Sequence, residues 1–204
     1  MSKEKICLHL FKIGAIKFGE FTLKSGLKSP VYIDLRVLVS YPSVLKEVAE
    51  VMVEITDRLE FDKIAGVPYA AIPIVTAVSL QSGVPAIYPR KEQKDYGTKK
   101  EIEGVYKEGE AVLVVDDLIT TGESKFEAIR PLEEAGLKVK DIVVLIDREQ
   151  GGKEDLEKKG YRLHAVLTLS ELLKILRKNE KISEGQYEDT LDYLKYAENR
   201  GRLR

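Results

Sequence analysis

The sequence predicts an α/β protein with a mainly parallel central sheet flanked by helices. Two segments, 112–115 and 139–146, are strongly apolar, which is typical of strands buried on both faces of a parallel sheet. The segment 41–60 instead carries its apolar residues at helical spacing, in one stripe from Val44 to Leu59. Strand, polar turn and helix follow one another along the chain, and this order favours a parallel sheet.

The composition fits a single domain. A chain of 204 residues, with 44% hydrophobic and 33% charged residues, is long enough to bury a substantial core. We expect residues 1–204 to form one domain. Within it, residues 1–40 would contribute a small N-terminal hood, residues 41–170 the core and residues 171–204 C-terminal helices.

The charge balance argues against two classes of partner. With 33 basic and 34 acidic residues, the chain has no overall attraction for nucleic acid or for an anionic membrane. No apolar run approaches the length of a membrane span, and lysines interrupt the N-terminal segment where a signal peptide needs a continuous apolar core. The single cysteine, Cys7, is consistent with a reducing compartment, so we expect a cytoplasmic protein.

The N-terminal part is expected to begin with an amphipathic helix. Apolar residues at helical spacing predict this helix over 3–13. Short strands follow near 21–23 and 31–34, on either side of the turn-rich basic loop 24–30. The loop can be a solvated turn or part of a binding site.

The remaining elements alternate between strand and helix. Predicted strands cover 63–67, 86–88, 112–115, 139–146 and 163–167, the last at a sheet edge. Predicted helices cover 41–60, 72–81, 123–134, 153–159, 168–177 and 183–199.

Two adjacent carboxylates, Asp116 and Asp117, come directly after the predicted strand 112–115. Ligands of open α/β sheets bind beyond the carboxyl ends of the strands. A carboxylate repels a phosphate but accepts hydrogen bonds from hydroxyl groups. The pair is therefore predicted to bind the hydroxyls of a ribose.

A phosphate-binding turn is predicted directly after these acids, at the start of the helix 123–134. The N–H groups of a helix N-terminus converge on an anion, and hydroxyl side chains add donors. The alternative is that Thr120 and Glu123 form a capping box and nothing more. The residues of the predicted turn are Thr120, Thr121, Gly122, Glu123 and Ser124.

Three further polar segments each have a structural alternative. The turn 66–71 can hold a pyrophosphate or be an ordinary connection between strand and helix. The basic segment 89–104 can close over a polyanion or be a solvated loop. Arg148, at the end of a strand, can bind a carboxylate bidentately or pair with Asp147 or Glu149.

Four segments resemble known motifs and occur in the expected order within 14–170. VLVVDDLITTGES at 112–124 resembles the 5-phosphoribosyl 1-pyrophosphate (PRPP) signature of type I phosphoribosyltransferases. FTLKSGLKSPVYIDLR at 21–36, RKEQKDYG at 90–97 and DREQGG at 147–152 resemble segments of the orotate phosphoribosyltransferases. The resemblance implies the type I phosphoribosyltransferase fold. It also implies transfer of the phosphoribosyl group from PRPP to orotate in UMP synthesis, with orotidine 5′-monophosphate and pyrophosphate as products.

The resemblance further implies roles for individual residues. The residues implied in catalysis are Lys94, Asp116 and Asp117. Those implied in PRPP binding are Tyr69, Arg90, Lys91, Lys94, Asp116, Asp117, Thr120, Thr121, Gly122, Glu123 and Ser124. Those implied in orotate binding are Lys24, Tyr32, Thr120 and Arg148.

The chain departs from the family pattern at two positions. Ala70 stands where several relatives carry a lysine, which removes a side-chain contact to pyrophosphate. Tyr96 stands where bacterial relatives often carry a histidine, so Lys94 becomes the leading candidate to act on the leaving group.

The implied cofactor is Mg²⁺, carried mainly by PRPP and water with no metal site made of protein ligands. The implied assembly is a homodimer in which the basic segment 89–104 is shared between sites. Two other functions remain open: a regulatory protein that senses PRPP on the same fold, and a phosphoribosyltransferase for another base. The segment 90–97 favours catalysis over regulation, and Lys24, Tyr32 and Arg148 favour orotate over a purine.

Overall fold

The computed structural model describes residues 2–22, 26, 28–91 and 101–202, with the backbone alone at 198–202. Lys24 and Lys94, to which the resemblance assigns roles, lie outside the described residues, as does Tyr96.

The strands and helices are numbered in chain order. The strands are β1 (Ile16–Thr22), β2 (Lys28–Ile33), β3 (Lys63–Gly66), β4 (Ala86–Pro89), β5 (Ile102–Glu103), β6 (Ala111–Ile119), β7 (Lys138–Asp147) and β8 (Arg162–Thr168). The helices are α1 (Lys3–Lys12), α2 (Pro42–Thr56), α3 (Ala71–Ser82), α4 (Glu123–Glu134), α5 (Gly152–Lys158), α6 (Leu169–Lys178) and α7 (Glu184–Arg202).

The central sheet has six strands in the order β5-β4-β3-β6-β7-β8. Strands β4, β3, β6, β7 and β8 run parallel, and β5 pairs antiparallel with β4. The predicted mainly parallel sheet is confirmed, and β8 lies at an edge as expected. Because neighbouring strands are parallel, the segments that follow β3, β6 and β7 meet at one edge of the sheet.

Strand β6 lies inside this sheet and is buried on both faces. Its residues 112–115 are at most 2% exposed, and residues 142–146 of the neighbouring β7 are fully buried. Such strands carry apolar side chains on both faces, so an uninterrupted apolar run is the pattern that specifies them. The two most buried strands therefore end at the predicted site.

The prediction that the central strand ends before the two acids is wrong. Strand β6 continues through Asp116 and Asp117 to Ile119, which pairs with Asp147 at the end of β7. The extension depends on pairing with the long strand β7 and not on local apolar content. The polar residues at 116 and 117 therefore did not predict it. As a result, both carboxylates are held in regular sheet rather than in a turn.

Four further differences separate the predicted elements from the observed ones. The helix predicted over 41–60 ends at Thr56, and residues 35–40 form a 3-10 helix that was not expected. Strand β5 has only two residues, too few to produce a sequence pattern, and exists because it pairs with β4. Strand β1 begins at Ile16 and not near Phe21, because it pairs along most of β2.

The N-terminal and C-terminal parts of the chain lie together on one side of the core. Strands β1 and β2 form a separate two-stranded antiparallel sheet, against which α7 packs. Helix α1 packs against α2 and α6. No helix in the described ranges is long and apolar enough to cross a membrane.

Candidate active site

The two acids at the end of β6 occupy different environments. Asp116 is 5% exposed, and its Oδ1 accepts a hydrogen bond from the backbone N–H of Asp117 at 2.7 Å. Oδ1 of Asp117 accepts the N–H of Leu118 at 2.7 Å. Burial, together with the negative charge of Asp116 and a hydrogen bond to it, raises the pKa of Asp117 to about 7. The carboxyl of Asp117 therefore binds and releases its proton near neutral pH.

Lys125 was not predicted as a site residue, yet it contacts Asp116 directly. Its Nζ lies 2.5 Å from Oδ2 of Asp116 and 2.7 Å from the carbonyl oxygen of Leu118. Lys125 is only 3% exposed, although it lies in the first turn of α4, a helix that is partly exposed to solvent. The apolar periodicity of α4 offered no signal that a lysine faces inward here.

The turn between β6 and α4 is not held by a capping side chain. Helix α4 begins at Glu123, as predicted, with Gly122 as its N-cap and no side-chain hydrogen bond to the cap. The capping box suggested by Thr120 and Glu123 is therefore wrong. A helix N-terminus without a side-chain cap leaves N–H groups of its first turn to be satisfied by water or by a bound anion.

The segment after β7 is hydrogen-bonded to the residues that lead into this turn. The N–H of Arg148 donates to the carbonyl of Ile119 at 2.9 Å, and the N–H of Gly152 donates to the carbonyl of Thr120 at 3.0 Å. A Cβ at Gly152 would lie 2.6 Å from the Ile119 side chain and 2.8 Å from the Thr120 carbonyl oxygen. The two polar segments pack so closely that only glycine fits at position 152.

We expect Gly152→Ala to destabilise the protein by about 1–3 kcal/mol, because the added methyl group overpacks a rigid contact. For a domain of this size this lowers the melting temperature by roughly 2–4 °C per kcal/mol, which thermal denaturation measures. Gly185→Ala is the matched control, since nothing lies within 4 Å of a Cβ at Gly185. Equal melting temperatures for Gly152→Ala and the unmodified protein would contradict the proposed close contact.

Arg148 is buried without a full set of partners. It is 6% exposed, and its Nε and Nη2 atoms have no hydrogen-bond partner in the described part of the chain. Burial lowers the pKa of its guanidinium. A buried, unpaired cation is costly, so such a group is a candidate to bind an anion.

The alternative for Arg148, an ion pair with a neighbouring acid, is not formed. Oδ1 of Asp147 accepts the N–H of Glu149 at 2.8 Å. Oε2 of Glu149 accepts the N–H of Ser170 at 2.6 Å. Both acids are thus engaged with backbone groups while Arg148 keeps free donors.

The C-terminal helix reaches this part of the site, which the sequence did not suggest. Nε2 of Gln150 donates to the hydroxyl of Tyr193 on α7 at 3.3 Å. Tyr193 also lies near enough to Arg148 to interact with its guanidinium electrostatically. Because α7 packs against β2, it connects the strand that carries Tyr32 with the segment that carries Arg148.

Tyr32 and its neighbours form a small aromatic and charged cluster on the N-terminal sheet. The rings of Phe21 and Tyr32 have centroids 5.4 Å apart. Nη2 of Arg36 lies 3.4 Å from the Tyr32 hydroxyl, and the same guanidinium pairs with Asp34. Phe21 therefore contacts the ring of Tyr32 and Arg36 contacts its hydroxyl.

Two of the cations predicted to bind pyrophosphate, Arg90 and Lys91, line the same cavity as Ser124 of the phosphate turn. Nζ of Lys91 is 5.7 Å from the ring centroid of Tyr69, which is 62% exposed. The guanidinium of Arg90 pairs with Glu103, so in this structure its charge is balanced within the protein. A cavity of about 450 Å³ lies beside them, and its lining includes Pro68, Arg90, Lys91 and Ser124.

Comparison with known proteins gives consistent matches. The family model of the phosphoribosyl transferase domain matches residues 38–164. An orotate phosphoribosyltransferase from Pyrococcus furiosus is 40% identical over 83% of this chain and 94% of its own length. The uridine 5′-monophosphate synthase of Bos taurus is 48% identical over 85% of this chain.

A solved structure of the UMP synthase of Leishmania donovani superposes with a TM-score of 0.89 and 45% identity over 96% of this chain. The chain spans 37% of the bovine enzyme and 43% of the Leishmania chain, so it matches one part of those longer proteins. The match to the Pyrococcus protein, by contrast, covers 94% of that protein. With this fold, the PRPP signature and these relatives, the chain belongs to the phosphoribosyltransferase family and, within it, to the orotate phosphoribosyltransferases.

Proposed function

We propose that the protein transfers the 5-phosphoribosyl group of PRPP to orotate, giving orotidine 5′-monophosphate and pyrophosphate on the route to UMP. The observation that carries the proposal is the buried guanidinium of Arg148, whose Nε and Nη2 lack partners within the described chain. Its backbone is hydrogen-bonded to Ile119, next to the phosphate turn. An anionic base bearing a carboxylate supplies the missing partner beside the ribose.

In this reaction the bond from the anomeric carbon to pyrophosphate breaks, and a bond to the base nitrogen forms. The protein acts by positioning and by electrostatics, because positive charge develops on the ribose while negative charge develops on the leaving group. Asp116 and Asp117 hold the ribose hydroxyls, and residues 120–124 hold the 5′-phosphate. Arg90, Lys91 and Lys94 neutralise the pyrophosphate, and Tyr69 lies beside Lys91. Lys24, Tyr32, Thr120 and Arg148 bind orotate.

Mg²⁺ is proposed as the cofactor, bound mainly through oxygens of PRPP and water. Among the described residues no group of three or more His, Cys, Asp or Glu side chains is placed to hold a metal ion. Asp116, one of the two acids in the site, is already paired with Lys125. A metal that arrives with the substrate fits this donor set, and it would neutralise the charge of the pyrophosphate.

The test follows the loss of orotate absorbance with purified protein, PRPP and Mg²⁺, and offers adenine, hypoxanthine and uracil as competing bases. Turnover of orotate alone is the expected result. Turnover of a purine instead would assign a different base. PRPP binding without turnover of any base would contradict the proposal and would indicate a regulatory protein that senses PRPP.

We propose that the tyrosine of the C-terminal helix supports the orotate subsite. Tyr193→Phe removes the hydrogen bond to Gln150, which is worth about 0.5–1.5 kcal/mol, so we expect the KM for orotate to rise up to about tenfold. The KM for PRPP should stay within about twofold. Steady-state kinetics with each substrate varied in turn measures both. Tyr196→Phe, on the same helix at a 55% exposed position, is the control. An unchanged KM for orotate would contradict a role for α7 in the site.

We also propose a homodimer in which the basic segment 89–104 of one subunit contributes to the active site of the other. An Asp117→Asn variant and a Lys94→Ala variant, each nearly inactive alone, should recover activity when mixed. Random exchange of subunits would give mixed dimers with one intact site, about a quarter of the normal activity in total. No recovery after exchange, verified with differently tagged subunits, would show that each subunit supplies its own loop.

The proposed location is the cytoplasm. A chain with a single cysteine is compatible with this reducing compartment. No nucleic acid or membrane partner is proposed. The near balance of 33 basic and 34 acidic residues supports this view.

A further inference from the structure

Lys125 occupies a position that is unfavourable for a lysine. It is 3% exposed and is the third residue of α4. Burial of an ammonium group costs free energy, and the positive end of the helix dipole repels a cation in the first turn. A lysine is rarely buried in this way unless other groups stabilise its charge.

Three acceptors surround the ammonium group. Nζ lies 2.5 Å from Oδ2 of Asp116, 2.7 Å from the carbonyl oxygen of Leu118 and 3.1 Å from Oγ of Ser124. An ammonium group has three N–H donors, so this set uses all of them. Lys125 therefore has no donor left for a substrate, and any effect on the reaction must pass through its partners.

The partners belong to two different parts of the site. Asp116 is one of the acids proposed to hold the ribose, and Ser124 lies in the turn proposed to hold the 5′-phosphate. Leu118 lies in the strand segment between them. One buried cation thus connects the end of β6 with the start of α4.

We propose that Lys125 is a positioning residue that fixes the distance between the ribose subsite and the 5′-phosphate subsite and balances the charge of Asp116. This inference rests on the proposed function, because it takes the two subsites from it. The arrangement suits a sugar phosphate, whose hydroxyls and phosphate must be bound together. A free phosphate ion needs only the turn.

The charge on the acids supports the same role. The charged groups that act on Asp117 are Asp116 on the same strand and Lys125 on α4. Lys125 opposes the rise in the pKa of Asp117 that burial and Asp116 cause. Without the lysine, the buried Asp116 and the half-buried Asp117 would face the incoming phosphates with no cation from α4, and the pKa of Asp117 would rise further.

The test compares Lys125→Met and Lys125→Gln with the unmodified protein. Glutamine keeps N–H donors for Leu118 and Ser124 but lacks the charge, so it serves if the methionine variant does not fold. Lys195→Met, at an exposed ion pair on α7, controls for the loss of one positive charge. Calorimetry measures the binding of ribose 5-phosphate and of inorganic phosphate, and a circular dichroism spectrum checks folding.

The expected result is a loss of about tenfold or more in the affinity for ribose 5-phosphate, with the affinity for inorganic phosphate within about twofold of normal. In the kinetic assay, the KM for PRPP should rise while the KM for orotate at saturating PRPP does not. The pH profile of kcat/KM for PRPP should move its acid limb upward by about one pH unit. If Lys125 had a purely structural role, its replacement would weaken the binding of both ligands alike and would not shift the pH profile of kcat/KM.

Equal losses of affinity for ribose 5-phosphate and for inorganic phosphate, or no loss of affinity for either ligand, would overturn the proposal. Failure of the proposed function gives a different outcome. In that case the unmodified protein shows no orotate turnover, while the calorimetric comparison still decides the role of Lys125.

Discussion

Replacing Arg148 by methionine is expected to lower kcat/KM for orotate by about 10²- to 10³-fold, because a charge-assisted contact to a carboxylate is lost from a desolvated site. The same change should make the ligand-free protein more stable. Arg148 is 6% exposed and its Nε and Nη2 lack partners in the described chain. An apolar side chain of similar length removes that uncompensated charge, which stabilises the fold by about 1–3 kcal/mol.

The two effects are measured separately, by steady-state kinetics with orotate varied and by thermal denaturation without ligands. Arg162→Met is the matched control, because Arg162 is exposed and pairs with Asp141 away from the site. It should change neither quantity by much. A methionine variant that is less stable than the unmodified protein would show that Arg148 is a structural cation. Retained orotate turnover would remove it from the base subsite.

Replacing Asp117 by asparagine is expected to reduce kcat by about 10²- to 10³-fold, because a carboxylate near the developing positive charge of the ribose is lost. Stability should respond in the opposite direction and should depend on pH. The pKa of Asp117 is raised to about 7 by burial and by Asp116, whereas an aspartate in the unfolded chain has a pKa of about 3.9.

The sign of the pH dependence follows from proton binding. Below about pH 4 the carboxyl is protonated in both states, so it makes no difference to the free energy of unfolding. Between about pH 4 and pH 7 the folded protein keeps the proton while the unfolded chain releases it, so stability falls as pH rises. Above about pH 7 Asp117 is ionised in both states, and the free energy of unfolding stays lowered by the full cost of ionising this carboxyl in the folded protein.

The melting temperature of Asp117→Asn relative to the unmodified protein should therefore be clearly higher at pH 8 than at pH 5. Thermal denaturation at the two pH values measures the difference. Asp192→Asn, at an exposed carboxylate of α7, is the control, and its effect should be small at both values. A constant difference for Asp117→Asn would mean that Asp117 is ionised over the whole range.

Local sequence determined the architecture and most of the ligand-binding segments. The apolar runs 112–115 and 139–146 predicted two buried parallel strands, because a strand covered on both faces needs apolar side chains at successive positions. Residues that favour a helix predicted α4 with the bounds Glu123–Glu134 that the structure has. The motif residues around Asp116 and Arg148 pointed to the family, since each motif lies within a short stretch of chain.

Tertiary structure alone decided how these segments act together. The extension of β6 to Ile119 depends on pairing with β7, and the inward position of Lys125 depends on Asp116, which lies nine residues earlier on β6. The burial of Arg148 beside Tyr193 joins residues 45 positions apart, and the close fit at Gly152 depends on Thr120. These contacts link residues on different elements, and a local pattern of polar and apolar residues does not encode which distant group a side chain will meet.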